Sequence, residues 1–150
     1  MSSPLLYVAG YDAGLTTVYI YKANVNDPKP IAAISKDIDN ASGACIDSAG
    51  TLYVTNSSSG GSDVLEYALG QTKLLRVITK GIETPGYCAI DASGNFWVTN
   101  IGLDNVTEYL KGSTKPHETI TKGLKYPVGI AIDHTGNLYV GNNMAGYWTS

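Results

Sequence analysis

Two stretches decide the fold: Ile78–Asn100, ITKGIETPGYCAIDASGNFWVTN, and Ile120–Asn142, ITKGLKYPVGIAIDHTGNLYVGN. Twelve of their 23 positions are identical, where average composition would supply one or two at roughly one match in fifteen. Working outward, an earlier copy, ACIDSAGTLYVTN, runs Ala44–Asn56. Asp47, Asp91 and Asp133 lie 44 and 42 residues apart, and Asn56, Asn100 and Asn142 keep the same spacings. A second shared piece follows each copy. Val64-Leu-Glu-Tyr67 matches Val106-Thr-Glu-Tyr109, with Gly70 and Gly112 three residues beyond the tyrosines. At the N-terminus, Leu6-Tyr7-Val8 matches Leu52-Tyr53-Val54, and Val18–Tyr21 matches Val64–Tyr67.

Each period reads as four short strands. The first is the apolar segment around Ala89-Ile90 or Ala131-Ile132, and it ends in a turn, Asp91-Ala-Ser-Gly94 or Asp133-His-Thr-Gly136. The Asp caps such a turn through its own side chain, and the Gly supplies the positive φ. The second strand is Phe96–Thr99 or Leu138–Gly141, the third Val106–Leu110, and the fourth Glu118–Thr121. Val, Ile, Thr and Tyr dominate these runs, as in strands generally. Helical spacing is absent. Pro85 and Pro127 stand in the connection into the next repeat, where no ladder N–H is needed. A period of 40–45 residues with four strands is the signature of a β-propeller. The weak alternation in Leu52-Tyr-Val and Phe96-Trp-Val fits sheets packed on both faces. The expectation is therefore an all-β, partial propeller of four-stranded antiparallel blades, about 3–3.5 in number. It forms one domain over 1–150, with blade pieces near 5–37, 38–81, 82–123 and 124–150.

Composition bounds the function. Net charge is −3 and charged residues are 15% of the 150, against roughly 25% in soluble domains. This excludes a nucleic-acid binder with a broad basic surface and a polybasic membrane anchor. No apolar run approaches the ~18 residues of a membrane helix. The opening Met-Ser-Ser-Pro has neither the basic region nor the apolar core of a signal peptide, so none is expected in this chain. Cys45 and Cys88 form no C-x-x-C and read as two small buried hydrophobes.

The repeat unit, with its A-I-D-x-x-G-N-L-Y-V-x-N core and following V-x-E-Y, resembles the NHL-type repeat. That repeat is shared with the SMP-30/gluconolactonase-like and YncE-like propellers. The resemblance covers Leu5 to Asn143. It implies a fold more than a function, because such propellers include sugar lactonases, a peptide-amidating lyase and many binding scaffolds of six or seven blades. By analogy it also implies a secreted or periplasmic location. Under the lactonase alternative, Asn residues at the rim of the second strands would help hold a divalent cation such as Ca²⁺, for which oxygen ligands are suited. No Glu here matches the acidic ligand those enzymes take from their first blade. Without that alternative no cofactor is expected.

The candidate site is one rim. Asn56, Asn100 and Asn142 end second strands, and the loops Ser57–Asp63, Ile101–Asn105 and Asn143–Tyr147 share their rim. These loops diverge while the flanking strands do not, and binding concentrates in such loops. The candidate binding residues are Asn56, Asp63, Asn100, Asp104, Asn105 and Asn142. A recurring Asn is equally the mark of a structural turn. Asp47, Asp91 and Asp133 read as turn residues on the opposite rim. Glu66 and Glu108 read as a solvated pairing face, and His117 and His134 as surface histidines. No G-x-S-x-G, H-E-x-x-H, Walker or G-x-G-x-x-G motif occurs, and no catalytic residue is assigned. The expected function is non-catalytic binding of a protein, peptide or glycan. The alternatives are part of a lactonase-like metal-dependent hydrolase and a structural unit of a cell-surface array. Three-odd blades do not close a ring, so self-association into a dimer, or the remainder of a longer propeller, is expected to complete it.

Overall fold

The runs of Val, Ile, Thr and Tyr fold into thirteen antiparallel strands in four sheets, with no helix among the described residues. The computed structural model describes residues 4–12, 15–58 and 61–143. The first sheet holds β1 (Leu5–Asp12), β2 (Leu15–Lys22) and β3 (Ala32–Ile34). The second holds β4 (Ala41–Ile46), β5 (Leu52–Ser58), β6 (Gly61–Tyr67) and β7 (Leu74–Ile78). The third holds β8 (Pro85–Ile90), β9 (Phe96–Asn100), β10 (Asn105–Tyr109) and β11 (Glu118–Ile120). The fourth pairs β12 (Pro127–Ile132) with β13 (Leu138–Asn142). Each complete sheet is a meander in chain order, and the expected second, third and fourth strands appear within one or two residues. The N-terminal hairpin is longer than the matched segments suggest, with Leu5 to Asp12 paired against Leu15 to Lys22.

Adjacent sheets stack face to face through their apolar side chains. Strand periodicity sorts the second sheet cleanly. Leu52, Val54, Leu65 and Tyr67 turn towards Val18, Ile20 and Ile34 of the first sheet. Tyr53, Val64 and Ile78 turn towards Phe96, Val98 and Tyr109 of the third. With both faces buried, the run Leu52-Tyr53-Val54 needs no polar alternation. Tyr53 and Phe96 rings stack with centroids 5.1 Å apart. Burial pushes the Tyr53 phenol up to about 12, with the nearby Glu66 and Asp47 carboxylates adding to it.

The leading strands β4, β8 and β12 run side by side. Each carries a bulge near its start, between Ala41 and Gly43, Pro85 and Cys88, and Pro127 and Gly129. Threonines of the second strands β5 and β9 bridge the bulges of neighbouring sheets, while β13 carries Gly141 at that position. Thr55 Oγ1 lies 2.6 Å from the Gly86 carbonyl and 3.1 Å from that of Gly43. Thr99 Oγ1 accepts the Tyr87 amide at 2.9 Å and faces the Val128 carbonyl at 3.2 Å. Gly86 permits this approach: a Cβ there would sit 2.7 Å from Thr99 Oγ1 and 3.1 Å from the Val128 oxygen.

Three expectations are corrected. Cys45 and Cys88 are not free thiols. They are disulfide-bonded, with Cα atoms 5.9 Å apart across a separation of 43 residues. Cys45 stands opposite Tyr53, and the matching position in β8 is Ala89, opposite Trp97. Cys88 is one residue earlier in register, so the two cysteines point from opposite faces of their strands towards each other. Glu66 and Glu108 are not solvated; they are 2% and 6% exposed. Glu66 accepts Arg76 Nε at 3.0 Å and Nη2 at 2.7 Å, and Arg76 also reaches the Gly112 carbonyl. Finally, the 57–63 loop is mostly strand, with Asn56, Ser57 and Ser58 paired to Asp63, Ser62 and Gly61.

Because the disulfide ties two sheets across 43 residues, the paired substitution Cys45→Ala/Cys88→Ala is expected to lower unfolding free energy by about 2–4 kcal/mol. Urea denaturation of the oxidised protein and the double variant measures the difference. The transition of the variant should coincide with that of the parent under reductant.

Candidate functional site

The second-strand asparagines lie where the incoming connection turns into a leading strand, and their amides hold that connection. Asn56 is 1% exposed. Its Oδ1 accepts the Asp39 and Asn40 amides at 3.0 and 3.1 Å, and its Nδ2 donates to Asp63 Oδ1 at 3.0 Å. Asn100 is fully buried. Its Oδ1 accepts the Glu83 amide at 3.2 Å, while Nδ2 donates to Asn105 Oδ1 at 2.9 Å and Thr107 Oγ1 at 3.2 Å. Asn142 accepts the Lys125 amide at 2.6 Å and donates to the Gly123 carbonyl at 3.0 Å. These connections contain non-glycine residues at positive φ, among them Asp37, Thr84 and Tyr126. Such residues persist only where neighbours over-determine them.

Asp63, Asp104 and Asn105 extend the same device. Asp63 pairs with Asn56, and burial holds its carboxyl above the usual range, with Asp39 and Asp37 adding repulsion. Asn105 closes a buried triangle with Asn100 and Thr107. The residue before it, Asp104, reaches the next sheet, accepting the Tyr126 amide at 2.7 Å and pairing with Lys125. These donors hold the Asp104 carboxyl below its usual range. Ser62 is the repeat partner of Asp104 and accepts the Thr84 amide at 3.0 Å. Sequence reading finds Asp104 but not Ser62, because Ser and Asp differ although they share the position in the repeat.

The six candidate residues therefore gather at one end of the sheets. Within a sheet, Asn56 meets Asp63 and Asn100 meets Asn105, while Asp104 and Asn142 both engage the connection at Lys125. The geometry gives them a positioning role towards the rim loops. What remains for a ligand is the outer surface of those loops, including Leu103, which is 40% exposed. The third loop, 143–147, lies outside the described residues beyond Asn143. Among the described residues, no group of three His, Cys, Asp or Glu side chains is close enough to hold a metal. Of the three N-x-S/T triplets, Asn40-Ala-Ser, Asn56-Ser-Ser and Asn105-Val-Thr, the asparagines Asn56 and Asn105 are buried with their side chains engaged, and Asn40 is exposed.

At the opposite end, the aspartate turns are structural. Asp91 Oδ1 accepts the Ser93 and Asn95 amides at 2.8 and 2.9 Å, and Oδ2 accepts Asn95 Nδ2 at 2.9 Å. Asp47 and Asp133 accept the matching amides. The Asn137 and Thr135 side chains hold the Asp133 carboxyl well below its usual range. Glu108 is different. It faces Glu118 across the ladder where Glu66 faces Arg76. Among the described residues the His117 ring lies near it, with Nε2 3.9 Å from the carboxylate. Burial raises the Glu108 carboxyl above its usual range, and Asp91 and Glu118 add to the rise.

No family model and no curated protein matches the sequence. Solved structures do. A functionally unknown protein from Desulfotomaculum acetoxidans DSM 771 superposes with a TM-score of 0.72 at 14% identity, over 92% of this chain and 45% of that one. A protein of unknown function from Bacteroides caccae gives 0.59 at 18% identity, over 85% and 49%. These likenesses show a shared all-β fold, and the chain spans about half the length of both structures.

Two outcomes follow from the carboxylates. Asp91→Ala removes the acceptor of one turn and is expected to cost about 1 kcal/mol in urea denaturation. Glu108 has a folded-state pKa above its unfolded value, so its contribution is present in acid and lost as pH rises through the folded pKa. Glu108→Gln should therefore melt above the parent near pH 7, with the gap closing below about pH 4. Circular dichroism melts across that range measure it.

Proposed function

We propose that the chain is an arc of a β-propeller of the NHL or SMP-30-like kind, serving as a non-catalytic binding module. The observation that carries this reading is the succession of repeated antiparallel meanders, stacked face to face with β4, β8 and β12 adjacent. The rim of loops beside Asn56, Asn100 and Asn142 is the proposed recognition surface for a protein, peptide or glycan. The asparagines act there as fixed supports. The rim asparagines and aspartates point the same way, since their polar atoms bond to backbone and to one another rather than converging on a reacting atom. The half-buried disulfide favours an oxidising compartment, in keeping with a secreted or periplasmic protein. Peptide and glycan arrays, read with the parent and with Leu103→Lys, test the rim. A ligand lost in the variant at unchanged melting temperature supports the reading. No array ligand, or a metal-dependent lactone hydrolysis, overturns it.

The outer sheets bear on assembly. In the first sheet Val18 faces the second sheet, and Tyr7 does likewise, accepting the Gly70 amide at 2.8 Å. The outward face instead carries Leu6 and Val8, 47% and 40% exposed, while on the fourth sheet Tyr139 is 56% exposed. In a propeller both outer faces are covered. At ~25 cal/mol per Å², covering about 500 Å² contributes on the order of 12 kcal/mol before association costs. The isolated chain is expected to self-associate, so light scattering should return more than its 15.9 kDa. A monodisperse monomer at high concentration would sink this expectation.

A further inference from the structure

The seam between the first and second sheets departs from the repeat, and the departure opens a pocket. At the next seam, Tyr109 Oη donates to the Lys80 carbonyl at 2.6 Å. Pro116 closes over the following residue, its Cγ only 2.8 Å from where a Gly81 Cβ would lie. One repeat earlier, Tyr67 replaces Tyr109, Lys36-Asp37 replaces Lys80-Gly81, and Leu74 replaces Pro116. Here the tyrosine hydroxyl has no partner among the described residues, although Tyr67 is 1% exposed. Tyr67 also lines a pocket of about 350 Å³, together with Lys36, Asp37, Thr72, Lys73 and Leu74. That volume is at the lower end for small-molecule sites.

An orphaned buried hydroxyl loses the full desolvation penalty of the group, so a partner in the pocket gains correspondingly. Burial, with Asp37 and Asp63 nearby, pushes the Tyr67 phenol up to about 12, so it stays protonated and donates. The lining carries both signs: two lysines and an aspartate. A simple anion would meet the repulsion of Asp37, and a simple cation that of the lysines. A neutral polyol could hydrogen-bond to either sign but would bring no charge to offset theirs. A molecule with a carboxylate and an ammonium on the same carbon pairs with both, and Leu74 offers an apolar wall to its side chain.

We propose that this pocket is a binding site for a small zwitterion, an aliphatic α-amino acid. Its carboxylate meets the Tyr67 hydroxyl and the lysine ammonium groups, and its ammonium meets Asp37. The site adjoins the connection that Asn56 holds, since Asn56 Nδ2 also donates to the Asp37 carbonyl at 3.3 Å, but none of its lining residues belongs to the rim loops, and it stands whether or not they bind a ligand.

NMR titration of the ¹⁵N-labelled chain tests it with three probes: L-leucine, N-acetyl-L-leucine and L-leucinamide. L-leucine should give saturable shifts at the Asp37, Thr72 and Lys73 amides. Each blocked analogue should bind at least about tenfold more weakly, as for a lost charged hydrogen bond. Tyr67→Phe should weaken L-leucine by a similar factor without lowering the melting temperature. Asp37→Gly/Leu74→Pro, which rebuilds the closed seam, should abolish the shifts; if that variant does not fold, Tyr67→Phe decides. The proposal is overturned by an absence of shifts, by equal binding of either blocked analogue, or by undiminished binding to Tyr67→Phe.

Discussion

The positions of the leading strands depend on two buried hydroxyls, one in each of the two four-stranded sheets. Thr55 and Thr99 are fully buried, and each stands between two leading strands that belong to different sheets. Leading strands of neighbouring sheets do not form a ladder, so the backbone groups at their bulges have no strand partner there. The threonine supplies it, reaching Gly86 from Thr55 and Val128 from Thr99. A buried backbone carbonyl left unpaired would cost on the order of a hydrogen bond. The hydroxyl thus couples the fold of one sheet to the position of the next. It also explains the glycine at 86, since any side chain there would take the place of the contact.

From this constraint the rest of the repeat follows in order. With the leading strands fixed, the apolar residues of alternate parity meet across each seam, and the sheet between two seams is apolar on both faces. The connection entering each leading strand must then turn sharply, and the asparagine one residue after the threonine satisfies its amides. Ser62 and Asp104 add a bond from the third strand to the next connection. The Cys45–Cys88 disulfide ties the same two leading strands covalently, so the tightest part of the structure is cross-linked as well as hydrogen-bonded.

The strands and turns were legible because they recur. The aspartate turn, the second strand and the V-x-E-Y strand each repeat at nearly constant spacing, and the structure places them within a residue or two. Two of the three misses share a cause: they depend on which face a residue takes. The one-residue offset of Cys88 against Cys45 encodes a bond between neighbouring sheets, but only once the parity of the leading strand is known. Glu66 and Glu108 look alike in sequence, yet Arg76 and Glu118 stand opposite them, so one is paired and the other strained by its neighbours. The 57–63 segment reads as a loop because its Ser/Gly composition is that of a turn, whereas Ser57 and Ser58 continue the hairpin ladder against Ser62 and Gly61.

The same logic separates framework from function. A side chain that recurs from copy to copy answers a demand made by each copy, and here the asparagines and aspartates are held by backbone amides and carbonyls. Recognition cannot rest on them alone, because neighbouring repeats would then present the same surface. What differs between repeats is the better guide. Leu74 in place of Pro116, and Asp37 in place of Gly81, leave the Tyr67 hydroxyl without the carbonyl that its counterpart at Tyr109 bonds. A framework built from repeated contacts is most informative where one contact is missing, since the buried group left behind retains its need for a partner.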